Sequence, residues 1–285
     1  MNRRQLQGFT LVEMIVVIVI TGIIGGAVVI FLRSPVQGYV DSARRAEMTD
    51  IADTALRRVE RDLRLALPNS VRVTGTCSAA CYIEFIPTTG GGRYRDSTDN
   101  SGGGNIFDFN PLDPPTTQFD VLGNMPPVAV GDQIVVYNLG IPGANAYSGN
   151  TAKTDNRRAV RGVAGKTISI TSANQFPLSS CVYDASGFVV GGCRFQVVQT
   201  AVTYACDPVA GTLTRWQGYA ILPTQPTALP SGGASSIMAT NVNSCNFTYA
   251  PGISQRSGLV TMHLTISEQN ENVILYGATH VNNVP

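Results

Sequence analysis

Residues 8–32 read GFTLVEMIVVIVITGIIGGAVVIFL: a glycine, then the 24 residues Phe9–Leu32, among which Glu13 carries the one charged side chain. As a helix, that run spans roughly 36 Å at about 1.5 Å per residue, enough to cross a hydrocarbon core about 30 Å thick. It reads as a transmembrane helix. A carboxylate at the bilayer centre costs about 2.5–3.5 kcal/mol, so such a residue sits near an end of the span or faces a partner. Glu13 lies near the start of the run.

The flank decides what kind of span this is. Met1–Gly8, MNRRQLQG, is a basic leader whose small residue precedes the apolar stretch, whereas a secretory signal is cut after it. Cleavage after Gly8 would spare the helix and place a new amine on Phe9. That amine lies about one turn from Glu13 in its own helix, and the amine of a neighbouring subunit can reach Glu13 equally well as a charge-assisted pair.

The sequence Gly8-Phe9-Thr10-Leu11-Val12-Glu13 behind a basic leader resembles the signal of type IV pilins and pseudopilins. The resemblance implies that a prepilin peptidase cuts after Gly8 and methylates Phe9, and that Glu13 contacts another subunit's N-terminus during assembly. It implies an α+β, type IV pilin-like fold: a long N-terminal helix, first transmembrane and then amphipathic, packed on an antiparallel β-sheet head with disulfides. The expected divisions are a leader at 1–8, an assembly helix at 9–32, a stalk helix at 33–67 and a β-rich head at 68–285.

Composition supports a loop-rich β head, with 29 glycines and 16 prolines. The net charge is +1 and 14% of residues are charged, so the chain has no electrostatic bias toward nucleic acid. Six cysteines, Cys77, Cys81, Cys181, Cys193, Cys206 and Cys245, all follow the span. An even count beyond a membrane anchor fits disulfides in an oxidising periplasm, and Arg3 and Arg4 favour a cytoplasmic N-terminus although Arg33, Arg44 and Arg45 oppose them. Neither His263 nor His280 lies at zinc-ligand spacing to a cysteine pair, so no metal is expected there. Six cysteines allow 15 connectivities; sequential pairing asks least of long-range topology and is the expected one.

Pro35 is expected to kink or briefly interrupt the helix beyond the bilayer. From Val36 onward, Val40, Ala43, Ile51, Ala55, Val59, Leu63 and Ala66 recur at mostly three- and four-residue spacings, one amphipathic face that Pro68 ends. Six arginines and six acids between Asp41 and Arg64 balance, with Asp53–Arg57 and Glu60–Arg64 at favourable spacing; phosphate binding needs excess positive charge.

Short strands follow from Val71. Expected strands are Tyr82–Ile86, Gln133–Tyr137, Thr167–Thr171, Phe195–Tyr204 and Thr212–Ile221. A C-terminal hairpin is read with Ile266 opposite Ile274, Leu264 opposite Tyr276 and Met262 opposite Ala278, closed by the loop Glu268–Asn272. His263 falls on its polar face and His280 near a strand end; no nucleophile elbow accompanies them, so no enzyme or cofactor is expected. Gly90–Pro115 reads as a flexible surface loop. Its Asp96, Asp99, Asn100 and Asp108 offer hard oxygen ligands, but without EF-hand spacing.

The Arg/Glu-rich segment ending LRLALP at Leu63–Pro68 and the closing stretches GLVTMHLTIS and ATHVNNVP resemble large minor pilins, those of mannose-sensitive haemagglutinin pili in particular. The resemblance implies a noncatalytic subunit that initiates or caps a filament, with the prepilin peptidase, other major and minor pilins, the inner membrane and the pilus assembly platform as partners. A head of roughly 220 residues has a radius of gyration near 17 Å, bulky for a subunit repeated along a thin fibre. The same residues leave open a minor pseudopilin of type II secretion and a DNA-uptake or adhesive tip subunit.

Overall fold

The computed structural model describes residues 8–98, 102–110, 112–149, 155–171, 176–252 and 257–285. Met1–Gln7, with Arg3 and Arg4, and the candidate ligands Asp99 and Asn100 lie outside them. The chain divides into two compact units, Met1–Thr49 and Asp50–Pro285.

One helix, α1 (Leu11–Leu63), contributes to both units. Pro35 lies inside it, so of the expected kink or brief interruption the interruption does not occur. Proline removes one donor, and the neighbouring i to i−4 bonds carry the helix past it. In the first unit Val40 and Ala43 are exposed, so the expected amphipathic face does not begin there. In the second, Ala52, Ala55, Leu56, Val59 and Leu63 are buried at three- and four-residue spacings, with Ile51 half-buried.

The helix ends four residues before the expected Leu67. Leu65 and Ala66 donate backwards to Asp62 and Leu63 at 3.0 and 3.1 Å, and the Leu67 amide goes instead to the Ile86 carbonyl at 2.7 Å. Sheet pairing captures the backbone there before Pro68 acts as a stop, and Ala66 forms an isolated bridge with Pro87.

The strands that follow are β1 (Arg72–Thr76), β2 (Ala80–Phe85), β3 (Thr88–Tyr94) and β4 (Gln118–Leu122). Then come β5 (Gln133–Val135), β6 (Arg157–Ala164), β7 (Thr167–Ile170), β8 (Val182–Tyr183) and β9 (Val189–Gly191). The chain continues through β10 (Arg194–Val198), β11 (Ala201–Asp207), β12 (Thr212–Tyr219) and β13 (Ala234–Thr240). It closes with β14 (Val242–Ala250), β15 (Gly258–Glu268) and β16 (Glu271–Val281). The expected strand Phe195–Tyr204 is thus two, divided at Gln199 and Thr200.

These strands form three main bodies: an antiparallel sheet ordered β1-β2-β11-β12-β13, a closed barrel ordered β10-β3-β4-β7-β6-β5, and a sheet ordered β14-β15-β16. A ribbon of β8 and β9 completes them. The barrel was not expected. Its interior is aromatic: Phe107 stacks on Phe119 at 4.5 Å between centroids and meets Tyr94 and Phe176 edge-on at 5.0 Å each. Such contacts add about 0.5–1.5 kcal/mol per pair beyond the area they bury.

The glycine run expected to be a flexible loop is largely strand β3. A Cβ on Gly92 would come 2.9 Å from the Phe195 ring, so glycine there admits a core aromatic instead of loosening the chain. Downstream, Phe107 is buried and Phe109 packs against the same core.

The C-terminal hairpin is paired one residue away from the expected register. Ile266 faces Val273, Leu264 faces Leu275 and Met262 faces Gly277. The loop is two residues long, because Gln269 and Asn270 both take positive φ, 46° and 66°, and Glu268 pairs directly with Glu271. A one-residue shift inverts the faces: Ile274, Tyr276 and Ala278, expected inside, point outward and are exposed. Gly277 lies inward, where a Cβ would come 2.9 Å from Glu60 Oε1 and 3.1 Å from the Met262 methyl. The helix therefore seats over a glycine.

This seat explains why Glu60 and Arg64 do not pair as expected: Glu60 lies over Gly277, and Arg64 Nε donates to Thr279 Oγ1 at 3.5 Å. Asp53 and Arg57 do form their ion pair, at 2.5 Å. On the other flank, Asp62 accepts from Tyr204 at 2.8 Å and from Arg215 at 2.7 Å. The end of α1 is thereby fixed to both open sheets.

Candidate assembly site

Thr10 starts the helix. Its carbonyl accepts from the Met14 amide at 3.2 Å and its hydroxyl from the Glu13 amide at 3.3 Å, the geometry of an N-cap with glutamate three positions on. Thr10 was absent from the candidate residues, although the pattern T-x-x-E signals such a cap. Glu13 also lies in the first turn, where the helix dipole favours negative charge. The cap and the dipole thus locate a carboxylate at this position before any partner is considered.

Among the described residues of the first unit, none covers the span. The apolar stretch of α1 is exposed throughout, and Phe9 is 79% exposed. A contiguous apolar surface of this extent requires lipid or other apolar helices around it. A Cβ on Gly8, Gly22, Gly25 or Gly26 would meet no atom within 4 Å. The last three therefore leave helix backbone open to close approach by another helix. Thr21 is internally satisfied, donating to the Val17 carbonyl at 2.6 Å.

In the head, the bridged pairs are Cys77–Cys81, Cys181–Cys193 and Cys206–Cys245, with Cα separations of 4.7, 4.0 and 6.5 Å. The third joins β11 of the five-stranded sheet to β14 of the three-stranded sheet.

The principal buried charge is structural. Glu84, fully buried, accepts from Arg72 Nε at 2.7 Å and from the Tyr219 hydroxyl at 3.1 Å. Burial pushes its carboxyl above the usual glutamate range, against the opposing pull of Arg72 and Tyr219. The Arg72 guanidinium lies 3.6 Å from the Tyr147 ring centroid and donates to the carbonyls of Leu222 and Pro223. Every part of this network is turned toward protein groups, which suits a brace and not a reaction centre.

The candidate calcium ligands that can be placed are similarly engaged. Asp96 accepts from Thr98 and, at 3.0 Å, from Tyr183, while Asp108 accepts from the Asn110 amide. Among the described residues no three His, Cys, Asp or Glu side chains converge as a metal site would require. His263 is half-buried on the outward face of β15 with its ring 4.8 Å from that of Tyr276, and His280 is exposed on β16.

Residues 3–29 match the family described as prokaryotic N-terminal methylation motif. The match takes in residues 3–8, the cap and most of the exposed apolar helix, and the motif indicates a type IV pilin-like or pseudopilin precursor, which implies processing by a prepilin peptidase and assembly with other pilins. Proteins bearing this motif are generally structural and non-enzymatic. No curated protein and no solved structure matches the chain.

Proposed function

We propose that this protein is a noncatalytic minor pilin of type IV pilus biogenesis that initiates or caps the filament, resembling MshO of the mannose-sensitive haemagglutinin pilus. The observation that carries the reading is the junction at Gly8: a methylation motif opening directly into a capped helix whose apolar surface is exposed among the described residues. Prepilin peptidase cuts after Gly8 and methylates Phe9, leaving the helix in the inner membrane with the disulfide-bonded head in the periplasm. Glu13 then meets the N-terminal amine of a neighbouring pilin. The size of the head supports placement at an end of the filament.

The decisive experiment is intact-mass and N-terminal peptide analysis of membrane-extracted protein, alongside a deletion strain scored for surface pili and for protein secretion. The expected result is a mature chain beginning with N-methylated Phe9, and pili lost or reduced with secretion unchanged. An uncut Met1 terminus, or cleavage after the apolar run, would overturn the pilin reading. Lost secretion with intact pili would replace the pilus role with that of a secretion pseudopilin.

A further inference from the structure

The outward face of the three-stranded sheet is unusual in what it lacks. Following the register from Ser244 on β14, across β15, to His280 on β16, no outward position holds Asp, Glu, Lys or Arg. Threonine, serine and asparagine occupy much of it, both histidines of the chain lie on it, and Ile274 and Tyr276 are 58% and 78% exposed. Depletion of charge with tyrosine retained is the composition of an interface centre, whereas a freely solvated face carries mixed charges. It offers no attraction to an anionic ligand, and its hydroxyl and amide groups make it a poor lipid contact.

The same strand presents an edge that pairs with no other strand among the described residues. β16 pairs with β15 and lies at the margin of its sheet over its full length, Glu271–Val281. Because Glu268 and Glu271 flank a two-residue turn, they form a hydrogen-bonded pair, and such pairs then recur at every second residue. Asn272, Ile274, Tyr276, Ala278 and His280 consequently aim their amides and carbonyls away from β15, toward the open edge. These are the residues whose side chains stand outward. No charge, proline or bulge blunts this stretch, although edge strands are ordinarily protected by such devices. An array of donors and acceptors repeating at this spacing is satisfied by one kind of partner, a polypeptide in extended conformation.

We infer that β16 is a docking edge, on which an extended, uncharged strand from the head of a neighbouring pilin-like subunit adds to the sheet and covers Ile274 and Tyr276. The identity of the neighbour as pilin-like rests on the function proposed above; the edge itself does not. Main-chain bonds hold the added strand, and the Ile274–Tyr276 stripe with His263 beside it selects apolar or aromatic side chains at alternate positions.

The test uses the full chain in its own membrane with its natural co-assembling subunits. A photoreactive phenylalanine derivative replaces Tyr276, and a control replaces exposed Val209, at the β11–β12 turn. The expected result is a light-dependent adduct from position 276 alone, whose partner peptide maps to a processed prepilin-type subunit. In that background, Ala278→Pro removes a donor facing the open edge without costing a bond to β15, and should reduce the adduct about tenfold. Ile274→Lys should do the same by placing a charge in the interface. Both variants should retain three disulfides and protease resistance, and Thr279→Pro, which breaks an internal bond, serves as the unfolding comparison. No adduct, an adduct with lipid or with a second copy of this chain, or an adduct indifferent to Ala278→Pro would overturn the inference. If Phe9 is correctly processed while these results fail, the edge is wrong and the pilin reading stands; if processing fails, the neighbour's identity falls with it.

Discussion

Glu13 and Glu84 are two carboxylates placed by opposite means. Glu84 was not singled out from the sequence, since its partners Arg72 and Tyr219 are brought to it by strand pairing and not by proximity in the chain. Its folded pKa is raised chiefly by burial, so its contribution to stability is fully present below the unfolded glutamate value of about 4.3 and is lost as pH rises through the folded value. Arg72 limits that loss. Arg72→Met keeps the stem but removes the cation, and should raise the Glu84 pKa further. The expected cost is about 3 kcal/mol or more near neutral pH, shrinking toward about pH 4.5 as Glu84 takes up its proton. Denaturant unfolding of the oxidised chain in detergent, followed through the single tryptophan, Trp216, at both pH values would check it; an equal loss at both would mean that charge is not the cause. Glu13 differs because everything that defines it lies in six consecutive residues. That is why it could be proposed from sequence alone, although the cap at Thr10 within the same six residues went unread. Glu13→Ala keeps the Thr10 cap, since the donor is a backbone amide, and removes only the side-chain charge. The variant should be inserted and processed normally while its recovery in sheared pili, or the number of pili, falls. Immunoblots of membrane and sheared fractions at matched expression measure both, and normal piliation would remove Glu13 from subunit pairing.

At the level of elements, the sequence specified the helix and most strands where a periodic pattern existed, and failed where periodicity was silent. Val273, Ile274, Leu275 and Tyr276 are consecutive and apolar, so they fit either face equally. A shift of one residue in the hairpin is invisible in such a run. The decision was made elsewhere, by the positive φ values of Gln269 and Asn270 and by Gly277 beneath the helix. Likewise the glycines of β3 resemble a loop in composition, and their close approach to Phe195 exists only once β10 has paired with them. The register makes a sharp prediction. Gly277→Val should cost about 1–3 kcal/mol by forcing side-chain bulk against Glu60 and Met262, whereas Ala278→Val, one residue on and outward, should change stability by less than about 0.5 kcal/mol. The same denaturant titration measures both, and the reverse order would restore the register read from the hydrophobic pattern.

For the whole molecule, the three-stranded sheet joins consecutive strands and was partly legible as a hairpin, whereas the barrel and the five-stranded sheet have no counterpart in any local pattern, because they are assembled from strands far apart in sequence. The barrel runs β10-β3-β4-β7-β6-β5, so residues near position 90 and position 195 become neighbours while β11, the next strand after β10, departs to the five-stranded sheet. What unites the two open sheets is the end of α1 between them and the Cys206–Cys245 bridge across them. This arrangement makes the three disulfides unequal. Cys77–Cys81 closes a loop within one hairpin, at a sequence separation of 4, and Cys206–Cys245 one of 39 that passes through both sheets. Loop-closure entropy alone gives about 2 kcal/mol for the first and about 4 kcal/mol for the second. Cys206 and Cys245 are also buried, so alanine at both leaves space in the core in addition to freeing the chain. The double variant Cys206→Ala/Cys245→Ala should therefore lose more than the Cys77→Ala/Cys81→Ala variant by about 2 kcal/mol or more, and should become sensitive to proteolysis between β12 and β14 while the barrel stays resistant. Limited proteolysis with peptide mapping, beside the denaturant midpoints, tests both parts. Equal losses, or a barrel that is digested together with the sheets, would mean that the bridge does not act as the clamp between the two sheets.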